Sequence, residues 1–305
     1  MTWRTVVISS NSKLDLKLNY LVIRNDVVRK VHLSEISVLI LESTAISITT
    51  MLLCELTRRK IKVVFCDETH NPYGELIPYS GSHDSVDKLR SQLDWAEESK
   101  KRIWAEIVKE KIRNQSAVLA LVDNERSSML SQYAEEVESG DATNREGHAA
   151  KVYFNTIFGD GFSRRMDCYQ NAALNYGYAI LLSAVNREIV ASGYNTQLGI
   201  FHDNMFNRFN LGSDLMEPLR PIIDRLVLNI DKFDTDTKHA LANILNEEVM
   251  ISGRRMYLNN AIGIYVRSIF SAIEKDDCSL INFCYYESQS DEVDGVLRFA
   301  CEDCR

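Results

Sequence analysis

The chain has 305 residues, of which 45% are hydrophobic and 26% are charged, and its net charge is −8. This composition is typical of a soluble globular protein with one large or two ordinary domains, and it excludes a disordered or collagen-like chain. No stretch approaches the ~20 apolar residues of a membrane span, and the first residues lack the apolar core of a signal peptide. We therefore expect a cytoplasmic protein without membrane contact.

Residues 1–75 are predicted to form a β-rich domain that carries one helix. Apolar and polar residues alternate between Leu14 and Val22, a period of two that predicts a ribbon with one buried face. A change of direction is expected near Leu18 and Asn19. Further along, strands are predicted at 38–41 and 61–66, and a helix with Thr49 as N-cap is predicted at 49–60.

The pattern changes after residue 67. Asn71-Pro72, Gly74, Pro78 and Gly81 are turn-forming residues, and they predict a linker over 76–85. From residue 86 the hydrophobic spacing becomes helical. The chain is therefore predicted to be α+β, with an all-α domain over 86–275 and an acidic, cysteine-containing tail over 276–305. Helices are predicted at 86–114, 116–138, 146–158, 167–191, from near Ser213, at 236–248 and at 257–273.

Charged and imidazole groups stand at three places in the helical region where an amphipathic pattern does not require them. Glu146 starts a helix, His202 lies in a loop, and Asp214 and Glu217 are three residues apart on one helical face. Two carboxylates and one imidazole from distant points of the chain form an open site for a divalent cation. Oxygen ligands suit Mg²⁺ or Mn²⁺, and the imidazole favours Mn²⁺. Such an ion polarises a phosphodiester, which predicts nuclease or strand-transfer chemistry.

Each of these residues also has a local explanation. A first-turn Glu146 is favoured by the helix macrodipole, and His202 beside Phe201 could be a half-buried core imidazole. Asp214 could follow a Ser213 N-cap, with Glu217 pairing Arg220 or Arg225 at helical spacing. Asn175 and Tyr178 lie in an unusual helix rich in Asn and Gly, and they are candidates for contacting a phosphate or the carboxylates.

Four segments carry a resemblance to a known family. They are Glu146-Gly147 with Ala150 and Tyr153, Asn171 to Tyr178, Gly199 to His202, and Asp214-Leu215-Met216-Glu217-Pro218-Leu219-Arg220-Pro221. In this order they resemble the CRISPR adaptation integrases, also called CRISPR-associated endonuclease one. The N-terminal segments Trp3 to Val7, His32 to Ile36, Thr49 to Leu52 and Phe65 to Asp67 are similar to the version found in type II systems.

The resemblance implies a β-sandwich domain followed by a larger all-α catalytic domain that binds one metal ion. It implies Glu146, His202 and Glu217 as catalytic metal ligands for Mg²⁺ or Mn²⁺, with Asp214 as a supporting carboxylate. It also implies homodimers formed through the β domains, and two dimers bridged by a dimer of a small ferredoxin-like partner. That assembly captures double-stranded DNA and joins its 3′ hydroxyls to a CRISPR repeat, and other type II adaptation and effector proteins are expected as further partners.

Basic residues are the candidates for DNA contact. Net charge does not exclude DNA, because residues 276–305 carry −6 and the first 275 residues only −2. The candidates are Lys100, Lys101, Arg102, Lys109 and Arg113 on one predicted helix, Arg164 and Arg165 in a loop, and the pair Arg254 and Arg255. For the first five, a solvated helix face is an equal alternative.

Some features leave alternatives open. The seven cysteines favour reduced thiols over a disulfide framework. Four of them, Cys278, Cys284, Cys301 and Cys304, could form a zinc site, although the spacing of the first pair is unusually long. A non-catalytic DNA-binding scaffold and a stand-alone nuclease for branched DNA are the alternatives to the integrase function.

Overall fold

The N-terminal part of the computed structural model contains two four-stranded sheets and one helix. The structure describes residues 4–68, 70–79 and 84–285. The elements are β1 (Arg4–Ile8), β2 (Ser12–Lys17), β3 (Tyr20–Arg24), β4 (Val28–His32), β5 (Ile36–Leu41), β6 (Ile46–Ile48), α1 (Thr50–Arg58), β7 (Lys62–Cys66) and β8 (Pro72–Glu75).

One sheet has the strand order β1-β5-β7-β8, with β1, β5 and β7 parallel and β8 antiparallel to β7. The other has the order β4-β3-β2-β6. Its β2–β3 hairpin turns at Leu18 and Asn19, whose φ angles of 50° and 67° place both in the left-handed region that two-residue hairpin turns require. The predicted change of direction is confirmed.

Strand β5 shows how the layers stack, because all six of its residues are buried. Leu39 and Leu41 face a core shared with the second sheet and α1, whereas Val38 and Ile40 belong to the core of the helical part. The first sheet is thus a middle layer, covered by the second sheet on one side and by helices on the other. Helix α1 begins after Thr49, whose hydroxyl accepts a hydrogen bond from the Leu52 amide at 3.4 Å, as predicted.

The remaining described residues are mostly helical, and the predicted α+β class is confirmed. The helices are α2 (Ser85–Leu93), α3 (Glu97–Leu119), α4 (Asn124–Glu135), α5 (Arg145–Phe158), α6 (Tyr169–Ala191), α7 (Asn210–Met216), α8 (Arg220–Val227), α9 (Thr235–Ala242) and α10 (Leu258–Lys275).

Three predicted helices have wrong boundaries, and two of them lie at the start of the helical part. The single helix expected over 86–114 is broken between α2 and α3, where Trp95 turns inward and its ring lies 5.6 Å from that of Tyr194 and 6.3 Å from that of Phe270. Helix α3 then continues to Leu119. The helix expected over 116–138 starts only after Asp123, whose carboxylate caps α4 by accepting from the Arg126 amide at 2.9 Å.

The helical part also carries one hairpin that the sequence did not predict. Strands β9 (Glu248–Ile251) and β10 (Arg254–Tyr257) pair across Ser252 and Gly253, which have φ angles of 51° and 70°. The predicted 236–248 helix therefore ends early, at Ala242. Within 4–68, 70–79 and 84–285, none of the helices combines the length and the apolar composition of a membrane-spanning segment. Residues 80–83 of the predicted linker and 286–305 of the predicted tail, including Cys301 and Cys304, lie outside the described residues.

Candidate active site

Helix α3 runs behind the site and presents two residues to it. Trp104 and Lys111 are seven residues apart, two helical turns, so they share one face. The Trp104 ring stacks on Phe201 at 4.4 Å and meets the edge of His202 at 5.7 Å. Lys111 lies on the same buried stripe, with only 10% of its side chain exposed. Both residues thus reach segments far away in the sequence.

Glu146 occupies the first turn of α5, and Asp141 fixes where that helix begins. The Asp141 carboxylate accepts hydrogen bonds from the backbone amides of Arg145 at 2.8 Å and Glu146 at 3.1 Å. These amides have no partner inside the helix, so the carboxylate satisfies them and aligns with the macrodipole. The cap aims Glu146 toward α3.

Asp214, on α7, organises the loop that carries His202. Its buried carboxylate accepts from the backbone amides of Ile200 (2.6 Å), Phe201 (3.0 Å) and His202 (3.1 Å), and Oδ1 lies 2.5 Å from His202 Nδ1. A Cβ on Gly199 would lie 2.3 Å from the carbonyl oxygen of His202, so only glycine fits this tight loop. With Nδ1 held by Asp214, Nε2 remains available to a ligand.

The His202 ring is electrostatically coupled to the carboxylates. Its hydrogen bond to Asp214 raises the pKa of His202 against the opposing effect of burial, and the charges of Asp214, Glu217 and Glu146 act in the same direction. The imidazole and the two glutamates therefore lie in one electrostatic environment.

Glu146 and Glu217 meet at the ammonium of Lys111. Glu146 Oε1 and Glu217 Oε2 each lie 2.5 Å from Lys111 Nζ, so the two oxygens are at most twice that distance apart. Glu217 also pairs with Arg220 at 3.0 Å, as its helical spacing predicted. Burial would raise the pKa of Glu217, but Arg220, Lys111 and His202 lower it to about 2. Burial alone would lower the pKa of Lys111, yet Glu217 and Glu146 raise it.

The donor set fits a divalent cation. Within the part of the chain that the structure describes, no three His, Cys, Asp or Glu side chains are already arranged as a metal cluster. The point between the two carboxylates nevertheless holds a cation, the Lys111 ammonium. Glu217 Oε2 is buried and faces the Lys111 ammonium at 2.5 Å, so a metal ion would bind this oxygen in place of the ammonium. Two carboxylates and the His202 imidazole would suit Mg²⁺ or Mn²⁺.

Asn175 and Tyr178 lie behind this cluster rather than in it. The Tyr178 hydroxyl donates to Asp224, and its ring packs between the guanidinium groups of Arg164 at 5.3 Å and Arg220 at 4.7 Å. Asn175 Oδ1 accepts from Arg164 at 2.6 Å. Both residues therefore position arginines, and Tyr178 reaches Glu217 through Arg220. The local alternative of a Ser213 N-cap is wrong, because α7 begins at Asn210.

The proposed DNA-contacting cations on α3 each face a carboxylate. Lys100 pairs with Glu97 at 2.5 Å, Lys101 with Glu98 at 2.8 Å and Lys109 with Glu106 at 2.7 Å, all three residues apart on the helix. Arg102 pairs with Asp276 and Arg113 with Glu135. Of the remaining candidates, Arg164 is partly buried, whereas Arg165, Arg254 and Arg255 are exposed.

Sequence reasoning missed Lys111 and Asp141. Lys111 is not among the basic candidates proposed on this helix, although Trp104, Ile107, Val108, Lys111 and Gln115 form one buried stripe at helical spacing. A lysine on an apolar stripe was the available signal, since lysine is rarely buried without a partner. The signal for Asp141 is weaker, because this residue lies four positions before Arg145, the first residue of α5.

Comparison with known proteins gives concordant results. The family model described as CRISPR associated protein Cas1 matches residues 5–252. The CRISPR-associated endonuclease Cas1 of Neisseria meningitidis serogroup C (strain 8013) is 40% identical over 232 residues, which cover 75% of this chain and 76% of that protein.

Two solved structures share the fold at lower identity. A casposase bound to integration product superposes with a TM-score of 0.73 at 17% identity, covering 91% of this chain and 92% of that one. A chain of a Cas6-RT-Cas1–Cas2 complex gives a TM-score of 0.71 at 18% identity, covering 91% of this chain and 36% of that longer one. Since the family model and the Neisseria protein each match most of its length, the chain belongs to the CRISPR associated protein Cas1 family.

Proposed function

We propose that this protein is a metal-dependent DNA endonuclease and integrase that joins the 3′ hydroxyl ends of captured double-stranded DNA into a CRISPR repeat array. One observation carries the proposal. Glu146 and Glu217, from distant parts of the chain, share a single buried cation position, and their charges also act on His202. Family membership and the likeness to a casposase bound to integration product support the same chemistry.

Glu146, His202 and Glu217 would hold Mg²⁺ or Mn²⁺. When bound, such an ion polarises the scissile phosphate and lowers the pKa of the attacking 3′ hydroxyl. Asp214 fixes the orientation of His202 through Nδ1, and Arg220 holds the second oxygen of Glu217. Trp104 and Phe201 stack beside the ring and shield it from water on that side. No side chain needs to act as a covalent nucleophile.

The assembly is part of the proposal. One solved neighbour is named as a Cas6-RT-Cas1–Cas2 complex. By analogy, we propose a homodimer formed through the β domain of residues 1–75, with two dimers bridged by a dimer of a small ferredoxin-like partner. The helical domain of residues 86–275 would carry the catalytic site. Further type II adaptation and effector proteins would act with this assembly in the cytoplasm.

The DNA path would run over the basic residues proposed from the sequence. The five cations on α3 are exposed or partly exposed, and a phosphate can replace a surface carboxylate because an exposed pair contributes little. The exposed Arg165, Arg254 and Arg255 would contact the same backbone.

Glu146→Ala tests the proposal in a joining assay with the partner protein, a fluorescent duplex, a repeat plasmid and MnCl₂. Loss of a direct metal ligand should reduce joining by more than the ~100-fold that outer contacts usually account for. Glu125→Ala is the matched control, because Glu125 is also a first-turn glutamate, but of α4 and exposed. Joining that survives Glu146→Ala would favour a scaffold and reject the ligand assignment.

A further inference from the structure

Lys111 has a role that the proposed ligand set does not include. Its ammonium lies 2.5 Å from both Glu146 and Glu217, and its side chain is almost completely buried. Resting on the proposed function, we infer that Lys111 is a positioning residue that serves as the resident cation of the active site. It holds the two carboxylates together before a metal ion arrives, and it competes with that ion for the point between them.

The first half of this role follows from the charges. Without the ammonium, two carboxylates at this separation in a buried site would repel each other and move apart. Arg220 pairs with the other oxygen of Glu217, Oε1, at 3.0 Å, and within the described part of the chain no ion pair joins Arg220 to Glu146. Lys111 is therefore the bridging cation of the pair among the described residues.

The second half follows from the distances. Mg²⁺ binds oxygen ligands at about 2.0–2.1 Å, and an ion bound to both carboxylates would therefore lie close to the position of the ammonium, which is 2.5 Å from each of them. The two cations cannot share that point, so metal binding must displace the lysine. The flexible four-carbon stem of lysine allows this movement. Lys111 thus prepares the carboxylates for the metal and at the same time weakens its binding.

The test compares Mn²⁺ binding and thermal midpoints of the full chain for wild type, Lys111→Met, Lys111→Arg and Lys151→Met. Free Mn²⁺ is followed by its electron paramagnetic resonance signal. Lys111→Met should unfold at a lower temperature without metal and bind Mn²⁺ at least tenfold more tightly, so that MnCl₂ raises its midpoint more than that of the wild type. Lys111→Arg keeps a cation and should resemble the wild type.

Lys151 is the control because it is an exposed lysine on α5, the helix that carries Glu146. An unchanged metal-free midpoint in Lys111→Met would overturn the positioning role, and equal or weaker Mn²⁺ binding would overturn the competition. If Lys111→Met does not fold without metal, refolding in MnCl₂ must recover it, and failure to recover would reject the inference.

The two proposals fail in different ways. DNA joining by the wild type together with unchanged Mn²⁺ affinity in Lys111→Met would reject the role of Lys111 alone. Unchanged Mn²⁺ affinity in Glu146→Ala would reject the ligand set, and with it both proposals.

Discussion

Two lysines are buried to a similar degree but differ in their surroundings. One lies in the N-terminal part with its two sheets, and the other lies in the helical part. Lys62, on β7, has 4% of its side chain exposed and pairs with one carboxylate, Glu75 on β8. Lys111, on α3, has 10% exposed and pairs with two carboxylates, Glu146 and Glu217. Burial alone would therefore not separate a structural ion pair from an active site.

The pKa values of Lys62 and Lys111 shift in opposite directions and so distinguish the two sites. Burial lowers the pKa of Lys62, and the single carboxylate of Glu75 does not compensate, with Arg187 acting in the same direction as burial. For Lys111 the two carboxylates outweigh burial, so its pKa is raised. The ammonium of Lys62 faces one carboxylate, whereas the ammonium of Lys111 bridges two, and an ion of higher charge in its place would bind both.

The largest expected effect is a loss of stability when the buried ion pair of Lys62 and Glu75 is broken. Lys62→Met leaves Glu75 buried without its cation, and we expect a loss of about 3–5 kcal/mol in the free energy of unfolding, measured with urea. MnCl₂ should not restore it, because one carboxylate is a poor metal site. The double variant with Glu75→Gln should recover part of the loss. If MnCl₂ restored the stability of Lys62→Met, the distinction between a structural ion pair at Lys62 and a metal-binding site at Lys111 would be wrong.

A second test uses a buried acid near the site. Burial raises the pKa of Asp224 to about 6, despite the Tyr178 hydrogen bond and the charges of Arg220 and Arg164. The folded state therefore binds a proton at Asp224 more tightly than the unfolded state does. The contribution of this proton to the free energy of unfolding is lost as pH rises from about 4 to 6. Asp224→Asn should gain up to about 3 kcal/mol relative to wild type between pH 4 and 7.

The measurement is urea unfolding of both proteins across that range of pH, with the exposed Asp236→Asn on α9 as control. A difference between Asp224→Asn and wild type that stays constant with pH would contradict the expectation.

A third, smaller effect concerns the anchor of His202. Asp214→Asn replaces an acceptor of three backbone amides and of the imidazole. We expect Mn²⁺ affinity and joining rate to fall by about 10–100-fold, as for other residues that orient metal ligands. A Mn²⁺ titration of the joining rate measures both. Asp203→Asn, an exposed neighbour of His202, should behave as wild type; equal losses in both variants would point to general damage of the loop.

The smallest effect lies at the surface. Lys101 forms an exposed pair with Glu98 on α3. Lys101→Ala should leave the thermal midpoint unchanged and reduce by ~1 the slope of log affinity against log salt for duplex binding. Lys232→Ala breaks a similar exposed pair with Asp234 and serves as control. An unchanged slope for Lys101→Ala would remove this residue from the DNA path.

Local patterns explain why much of the fold was predictable. The alternation between Leu14 and Val22 and the Thr49 cap act within a few residues, and the structure reproduces both. The failures have tertiary causes. Trp95 breaks the α2–α3 helix because its ring is drawn into a distant aromatic cluster, and β8 forms despite Pro72 and Gly74 because it lies at a sheet edge, where fewer backbone donors are needed.

The sequence by itself determined the type and order of most elements, and its motifs singled out Glu146, His202 and Glu217. The helical spacing of Lys111 with Trp104 and Ile107 was a signal for a buried position, but periodicity does not show what that face of α3 contacts. Only the packing of α3 against α5 and the end of α7 decided that Lys111 bridges two glutamates. The physical reason is range: caps and periodicity act within a turn or two of chain, whereas an ion pair between residues 35 positions apart exists only once the helices have packed.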